Sequence, residues 1–390
     1  MKKILIVNNN MHIGGVQKAL ASLLWNIRER YDVTLLLFYA GGEGLTDIPP
    51  EVKVQTVESA YRYLGMTRRD CKSPKDTLLR SFYAALCRIL GRKYAVALMG
   101  LGQKKLQGFD AAISYLHNAG DKAFYGGCND FVLKHVSASK KIAFLHCDYM
   151  RCGANTADNK RMYARFDLLA ACSQGCADSF LQANPSLRDR VRAVPNCHRF
   201  EDIEALARKA PVTLQEGKIN VVTVARLGKE KGVERALRAI ARLGEAKNTL
   251  HYYIIGDGIQ KELLLEIIQK ESLEDVVTLC GMLPNPYGYI KTADLLLIPS
   301  YSEAAPLVIG EAACLGTPIL SMKTSSAEEM ISDYGYGWVC ENTEEDLTES
   351  LKGLINTPQL LKQQREKVES VSVSNHAAVV MFDGLINEIS

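Results

Sequence analysis

At 390 residues, 47% hydrophobic and 23% charged, the chain is too long for one ordinary core and too apolar for a disordered segment. The apolar run Ile4–Val7 is too short for a signal peptide or membrane span, and no later run reaches about eighteen residues. Eleven cysteines, an odd number without a CxxC pair, argue against disulfides and structural zinc and for a reducing cytoplasm. The net charge of +3 hides an asymmetry: residues 1–195 hold 28 Lys and Arg against 16 Asp and Glu, and the remainder is acidic.

The first element, "KKILIVNNN", reads as a strand that breaks at three asparagines. Gly14 and Gly15 follow, and "VQKALASLLWNIRER" has apolar residues at helical spacing. "YDVTLLLFY", "FDAAISYLH", "KKIAFLHCD" and "RFDLLAACS" are further strands, each ending in polar or small residues. Residues 62–107 concentrate the basic excess, and "DTLLRSFYAALCRILGRKYAVALMGLGQKKL" within them reads as one basic amphipathic helix. Such a helix fits an anionic membrane surface, and equally a solvated helix packed on its own domain.

The pattern pauses at "RVRAVPNCHRF", where Pro195 and Asn196 interrupt it, and then restarts. "KINVVTVARLG", "LHYYIIGDG", "VVTLCGML", "ADLLLIPS" and "TPILSMK" are strands, with "GVERALRAIARLGEA" and "IQKELLLEIIQKESL" as helices between them. Alternation of this kind implies an α/β protein of two Rossmann-like domains with mostly parallel sheets, 1–195 and 196–373. Ligands of such sheets bind beyond the carboxyl ends of the strands, and two such edges are expected to face each other across a cleft.

The strand ends are therefore where chemistry is sought. Gly14 and Gly15 read either as a close backbone approach to a ligand at a helix N-terminus or as a tight turn. Arg226 and Lys231 in "VARLGKEKG" put a guanidinium and an ammonium in one loop, which suits a diphosphate or simply water. Gly256 and Gly258 begin a dinucleotide fingerprint that Lys261 leaves incomplete, so a tight turn is expected there.

The stretch "IPSYSEAAPLVIGEAACLGTPIL" is more specific. It places Glu303 in a loop after a buried strand and Glu311 inside the following helix, with Pro306 in the first turn. Eight residues of helix span about 12 Å at ~1.5 Å per residue, roughly a nucleotide sugar from hexose to ribose. Carboxylates hold sugar hydroxyls, and helix N-terminal amides receive the phosphates between them. His146 ends a first-half strand and is a candidate for the same cleft, with His117 and Asp148 competing.

These residues resemble a known family. "NNNMHIGGVQKAL", "VARLGKEKG" and "GMLPNPYGYIKTADLLLIPSYSEAAPLVIGEAACLGTPIL" are similar to the family 4 retaining glycosyltransferases, in the subset that builds capsular, exopolysaccharide or O-antigen repeats. The resemblance covers essentially the whole chain, and Glu-x7-Glu is its most specific part. It implies the GT-B fold, with an acceptor-binding first domain, a donor-binding second domain, and a helix within 374–390 returning to the first. It also implies that Arg226 and Lys231 clamp the donor diphosphate, that Glu303 holds the donor sugar, and that Glu311 holds the ribose. Backbone amides of Ala304, Ala305, Leu307 and Val308 would meet sugar and phosphate. Gly14 and Gly15 would let a loop close over the diphosphate, and His146 would bond the donor sugar or orient the reacting centre. The family usually has glycine and a bulky apolar residue where this chain has Ala304 and Ala305, which bears on the choice of donor.

The expected reaction is retaining transfer of a hexosyl or N-acetylhexosaminyl group, from a UDP-sugar by preference, to a saccharide acceptor. A basic first domain fits an acceptor on a polyprenyl diphosphate and peripheral attachment at the cytoplasmic face of the membrane. The chain has no DxD triplet, so neither a metal-bridged diphosphate nor any cofactor is expected, and no nucleic-acid partner is expected either. Two readings compete: a sugar-nucleotide epimerase of the same architecture, for which no acid/base residues stand out, and a non-catalytic relative that kept the fold. An NAD enzyme is more distant, since neither glycine turn is complete.

Overall fold

The computed structural model describes residues 1–388 and divides into two compact units. One comprises Met1–Cys197 and the segment beginning at Asn375; the other is His198–Ser374. The division falls two residues beyond the point where the strand–helix alternation pauses.

The first unit holds seven strands: β1 (Lys3–Asn8), β2 (Asp32–Leu37), β3 (Lys53–Thr56), β4 (Leu106–Ser114), β5 (Val136–Leu145), β6 (Leu168–Ala171) and β7 (Val191–Ala193). All pair in parallel, in the order β3-β2-β1-β4-β5-β6-β7. Ile4, Leu5, Ile6 and Val7 are all buried, as an unbroken apolar run must be when helices cover both faces of a parallel sheet. The helix His376–Asn387 packs into this unit's core through Ala378, Val379, Phe382, Leu385 and Ile386. Asp383 fixes it there by accepting from Tyr31 Oη at 2.8 Å and pairing with Arg30 at 2.7 Å.

The second unit is a six-stranded parallel sheet: β8 (Ile219–Val224), β9 (Leu250–Ile255), β10 (Val277–Gly281), β11 (Leu295–Ile298), β12 (Ile319–Met322) and β13 (Gly337–Cys340). Its order is β10-β9-β8-β11-β12-β13. The chain therefore reverses its winding direction between β1 and β4 in one unit, and between β8 and β11 in the other. Parallel sheets open a crevice at such a point, beyond the carboxyl ends of the two diverging strands.

Two expectations change. The basic segment is not one helix: Pro74–Leu90 ends at Gly91, whose φ of 91° no L side chain adopts readily, and Arg92–Met99 starts anew. Its last residues, from Leu106, belong to β4. Pro306 precedes the helix Leu307–Cys314 as its cap residue rather than lying in the first turn.

Candidate active site

In the second unit, the loops after β8 and β11 carry the charged residues, so both sets sit at that unit's switch point. After β8 the chain makes one tight turn over Lys229–Lys231 and enters the helix Val233–Ala241 through Gly232. Gly232 has φ 61°, and a Cβ there would lie 2.2 Å from the carbonyl oxygen of Pro299. Glycine is therefore required twice over, by the left-handed backbone and by the close approach of the β11 loop. Tyr301 N donates to the carbonyl of Glu230 at 2.9 Å, joining the two loops directly.

Lys231 Nζ donates to Glu303 Oε1 at 2.7 Å, and Ser300 Oγ donates to the same oxygen at 2.6 Å. Ser325 Oγ, from the loop after β12, donates to the Glu303 carbonyl at 2.7 Å. The Glu303 side chain is 10% exposed and that of Lys231 22%, so this is a largely desolvated, charge-assisted pair. Arg226 is separate and exposed, paired with Glu230 at 2.7 Å. Burial raises the Glu230 carboxyl, but a backbone amide and the Arg226 guanidinium outweigh it and hold it below the ordinary value. An exposed pair of that kind is worth about 0–1 kcal/mol, so an incoming anion can take Arg226 from Glu230 at small cost.

Glu303 lies four residues ahead of the helix Leu307–Cys314, and Glu311 is the fifth residue of that helix. No side chain caps the helix. Ala304, Ala305, Leu307 and Val308 are half-buried in and just before its first turn. His198 Nε2 lies 3.1 Å from the carbonyl of Leu307, and its ring occupies the space that a Cβ on Gly310 would fill. Glu311 is 4% exposed, a buried carboxylate in an otherwise apolar helix. Gly256 and Gly258 let the loop after β9 lie against the loop that carries Arg226: Leu227 N donates to the Asp257 carbonyl at 2.9 Å. They form a packed turn, as the incomplete fingerprint implies.

In the first unit, Gly14 is extended at φ −175° and Gly15 opens the helix Gly15–Ile27. Neither backbone demands glycine, and a Cβ on Gly15 would meet nothing within 4 Å. A Cβ on Gly14, by contrast, would lie 2.6 Å from Gln17 Oε1, so the side chain of Gln17 sits against this helix start. His146 follows β5 and His117 follows β4; the register Ser114 with Ala143 brings the two adjacent strand ends together. The His146 ring lies tilted against Tyr115, with centroids 4.6 Å apart, and stacks on Phe144 at 5.6 Å. His146 Nε2 and His117 Nδ1 are shut off from water and have no hydrogen-bond partner. Burial lowers His117 to about 4. Burial, with His117 nearby, lowers His146 to about 3, so both rings are neutral at pH 7. Asp148 accepts from Ser179 Oγ at 2.6 Å and Met150 N at 3.2 Å, which marks it as a loop brace.

The second unit thus brings Lys231, Glu303 and the start of the Glu311 helix into one neighbourhood, with Arg226 at its exposed rim. Pattern reading misses Ser300 and Ser325, although a serine three residues before Glu303 is in reach of its carboxylate. It also misses that Lys231 is paired with Glu303.

Residues 206–371 match the family described as glycosyl transferases group 1. Over 380 residues, 95% of this chain and 94% of the other, the sequence is 24% identical to an enzyme of Campylobacter jejuni. That enzyme is the N-acetylgalactosamine-N,N'-diacetylbacillosaminyl-diphospho-undecaprenol 4-alpha-N-acetylgalactosaminyltransferase. A putative colanic acid biosynthesis glycosyltransferase of Escherichia coli is 33% identical over 175 residues, 41% of this chain and 42% of that protein. The fold is similar to that of Anabaena HepE in complex with UDP and glucose, with a TM-score of 0.68, 18% identity, and 99% and 98% of the two chains covered. Residues 206–371 thus match a group 1 glycosyl transferase domain, and the fold over essentially the whole chain is that of the GT-B glycosyltransferases.

Proposed function

We propose that this glycosyltransferase moves a hexosyl or N-acetylhexosaminyl group from a nucleoside diphosphate sugar to a saccharide carried on a polyprenyl diphosphate. In this reading UDP is the favoured nucleotide, the configuration at the anomeric carbon is retained, and no metal takes part. The observation that carries it is the Lys231–Glu303–Ser300 cluster at a switch point, immediately ahead of a helix whose fifth residue is the buried Glu311. The UDP and glucose bound to the Anabaena protein support the donor class. The diphospho-undecaprenol in the name of the Campylobacter enzyme supports the acceptor class, and the colanic acid relative supports a place in surface-polysaccharide synthesis.

In this reading Glu303 holds donor-sugar hydroxyls and Glu311 the ribose, while Arg226 and Lys231 face the diphosphate. Ala304, Ala305, Leu307 and Val308 supply amides to sugar and phosphate, and Gly14 and Gly15 leave room for the diphosphate on the first unit's edge. The anomeric C–O bond to the diphosphate breaks, and the acceptor oxygen bonds the same face of the sugar. The acceptor proton passes to the departing phosphate, whose charge the two cations stabilise. His146, uncharged, supplies a hydrogen bond rather than a proton.

Peripheral membrane attachment is part of this reading, and the surface of the helices Pro74–Leu90 and Arg92–Met99 supports it. Leu78 is 71% exposed and Ile89 73%, and Phe82 joins them within about 40° around the helix, at 3.6 residues per turn. Exposed Lys75, Arg88, Lys93, Lys104 and Lys105 lie in the same segment. Apolar wedges among cations suit the interface of an anionic bilayer. Among the described residues no helix is long and apolar enough to cross a membrane.

The test is thermal stabilisation of wild type and Glu311→Ala by UDP, GDP, ADP and NAD, followed by nucleotide release in the presence of a polyprenyl-linked saccharide. A ligand at 100 times its Kd adds about 2.7 kcal/mol. Stabilisation of wild type alone by one nucleoside diphosphate, with turnover only when acceptor is present, is the expected result. Equal response of the variant removes Glu311 from the site, and an isomerised sugar nucleotide in place of transfer removes the transferase reading.

A further inference from the structure

The loop that presents Glu303 is held from behind by a buried cation. Arg235, in the helix Val233–Ala241, is 2% exposed. Its Nε donates to the carbonyl of Pro299 at 2.6 Å and its Nη2 to the carbonyl of Ser300 at 2.7 Å. Its Nη1 donates to Asn342 Oδ1 at 2.6 Å, beyond the end of β13. The guanidinium carbon lies 4.0 Å from the centroid of the Tyr301 ring, and Tyr301 Oη donates to the buried Glu234 at 3.0 Å. Asn342 Nδ2 donates to the Lys323 carbonyl at 2.7 Å, tying in the loop after β12.

A guanidinium shut away from water is costly unless its donors are used, and here two of its three bonds go to consecutive carbonyls of the β11 loop. Its three hydrogen bonds go to two carbonyls and an amide oxygen, not to a carboxylate. If it served only to join its helix to the β11 loop, one bond to either carbonyl and a packed stem would suffice. Instead it fixes two consecutive carbonyls and stacks on the ring of the third residue, so Pro299, Ser300 and Tyr301 are all registered to one planar group. A lysine cannot reproduce this, because an ammonium lacks the fork and the flat face. The residue thereby registered is Ser300, whose hydroxyl reaches Glu303 Oε1 beside Lys231 Nζ.

We infer that Arg235 and Ser300 are positioning residues for Glu303: Arg235 sets the backbone of Pro299–Tyr301, and Ser300 passes that setting to the carboxylate opposite Lys231. Neither residue needs to touch the donor. The inference deepens the donor reading given above, since its kinetic consequence rests on Glu303 holding the sugar.

Two measurements keep the two ideas apart. The first is a stability cycle with Lys231→Met and Glu303→Gln, run in the wild-type, Arg235→Lys and Ser300→Ala backgrounds. Positioning requires the Lys231–Glu303 coupling to fall by more than half in both backgrounds. Unchanged coupling in either overturns the inference, whatever the enzyme does. If Arg235→Lys does not fold, Ser300→Ala carries the cycle alone. The second is donor KM against nucleotide affinity. A misplaced charged hydrogen bond costs about tenfold to hundredfold, so KM for the nucleotide sugar rises by that factor in Ser300→Ala while the Kd of the free nucleotide stays within about twofold. Equal weakening of sugar donor and free nucleotide overturns the inference by reducing Arg235 and Ser300 to general support. Lost coupling with no change in donor KM leaves the positioning intact and removes Glu303 from the sugar site.

Discussion

Lys231 Nζ lies 2.7 Å from Glu303 Oε1, although 72 residues separate them in the chain. The two residues come from the loops after adjacent, diverging strands, and each satisfies the other. A buried pair is a weak source of stability, because desolvation offsets the Coulomb attraction, but breaking it from one side strands the other charge. Lys231→Met is expected to cost about 1–3 kcal/mol, from an ionised group left unsatisfied. Adding Glu303→Gln should recover part of that loss. Urea denaturation of both single variants and the double variant checks this; a double variant as unstable as the sum of the singles refutes the coupling. On activity, Glu303→Gln should lower turnover strongly and spare nucleotide binding.

Gly232 and Gly15 look alike in the sequence, each next to a helix start, and the structure separates them. Gly232→Ala would put a Cβ 2.2 Å from the Pro299 carbonyl at a φ of 61°, so it must push the β11 loop away or unwind the turn. A loss of about 2–4 kcal/mol is expected, with loss of donor binding, from strain at a special backbone position. Gly15→Ala meets nothing within 4 Å and should leave the melting temperature unchanged or slightly raised. If the helix N-terminus behind it seats a diphosphate, that same variant raises donor KM. Calorimetry should therefore separate the two variants, with the melting temperature lowered in Gly232→Ala alone, while donor titration weakens in both if that seat is used.

The contrast shows what a sequence can reveal of this fold. Strands such as Ile4–Val7 and Leu295–Ile298 were legible because parallel strands covered on both faces are continuous apolar runs. β3, with the exposed residues Lys53–Thr56, and the three-residue β7 carry no such run, and β13 has only four residues beginning with glycine. They exist because neighbouring strands offer an edge to pair with, a tertiary cause with no local signature. The break at Gly91 was hidden because apolar and basic residues continue across it at helical spacing. In the donor-side loops Arg226, Lys231, Glu303 and Glu311 stood out as charges at strand ends. Arg235 did not, because one arginine on a helix reads as solvated until packing shows it beneath the β11 loop.

Membrane attachment makes a separable prediction. Leu78 and Ile89 face solvent on the helix Pro74–Leu90, so replacing both by glutamate should leave the fold and the nucleotide response intact. Sedimentation with vesicles containing phosphatidylserine or phosphatidylglycerol should show the wild type bound and the variant free. Each lysine or arginine near such a surface contributes about 1 kcal/mol, so salt should release the wild type, and neutral vesicles should bind it less. Wild type that stays in solution at low salt assigns the segment to packing or to a protein partner.

The two histidines of the first unit predict how stability varies with pH. Burial holds His117 at about 4 and His146 at about 3, against an ordinary value of 6.5. Between those values the unfolded chain binds protons that the folded chain refuses, so stability rises with pH in that window. It is fully present above pH 6.5 and is lost as the pH falls toward 4 and then 3. The melting temperature of the wild type should therefore decline through pH 6 and 5, where isolated carboxylates have not yet titrated. Replacing both histidines by asparagine should flatten the decline over pH 6.5–4.5. If the decline persists unchanged in that double variant, other groups carry it and the two rings titrate like exposed imidazoles. Turnover offers a second check: a neutral His146 that only donates or accepts a hydrogen bond contributes no inflection near pH 6.5, whereas a histidine acting as a proton carrier would.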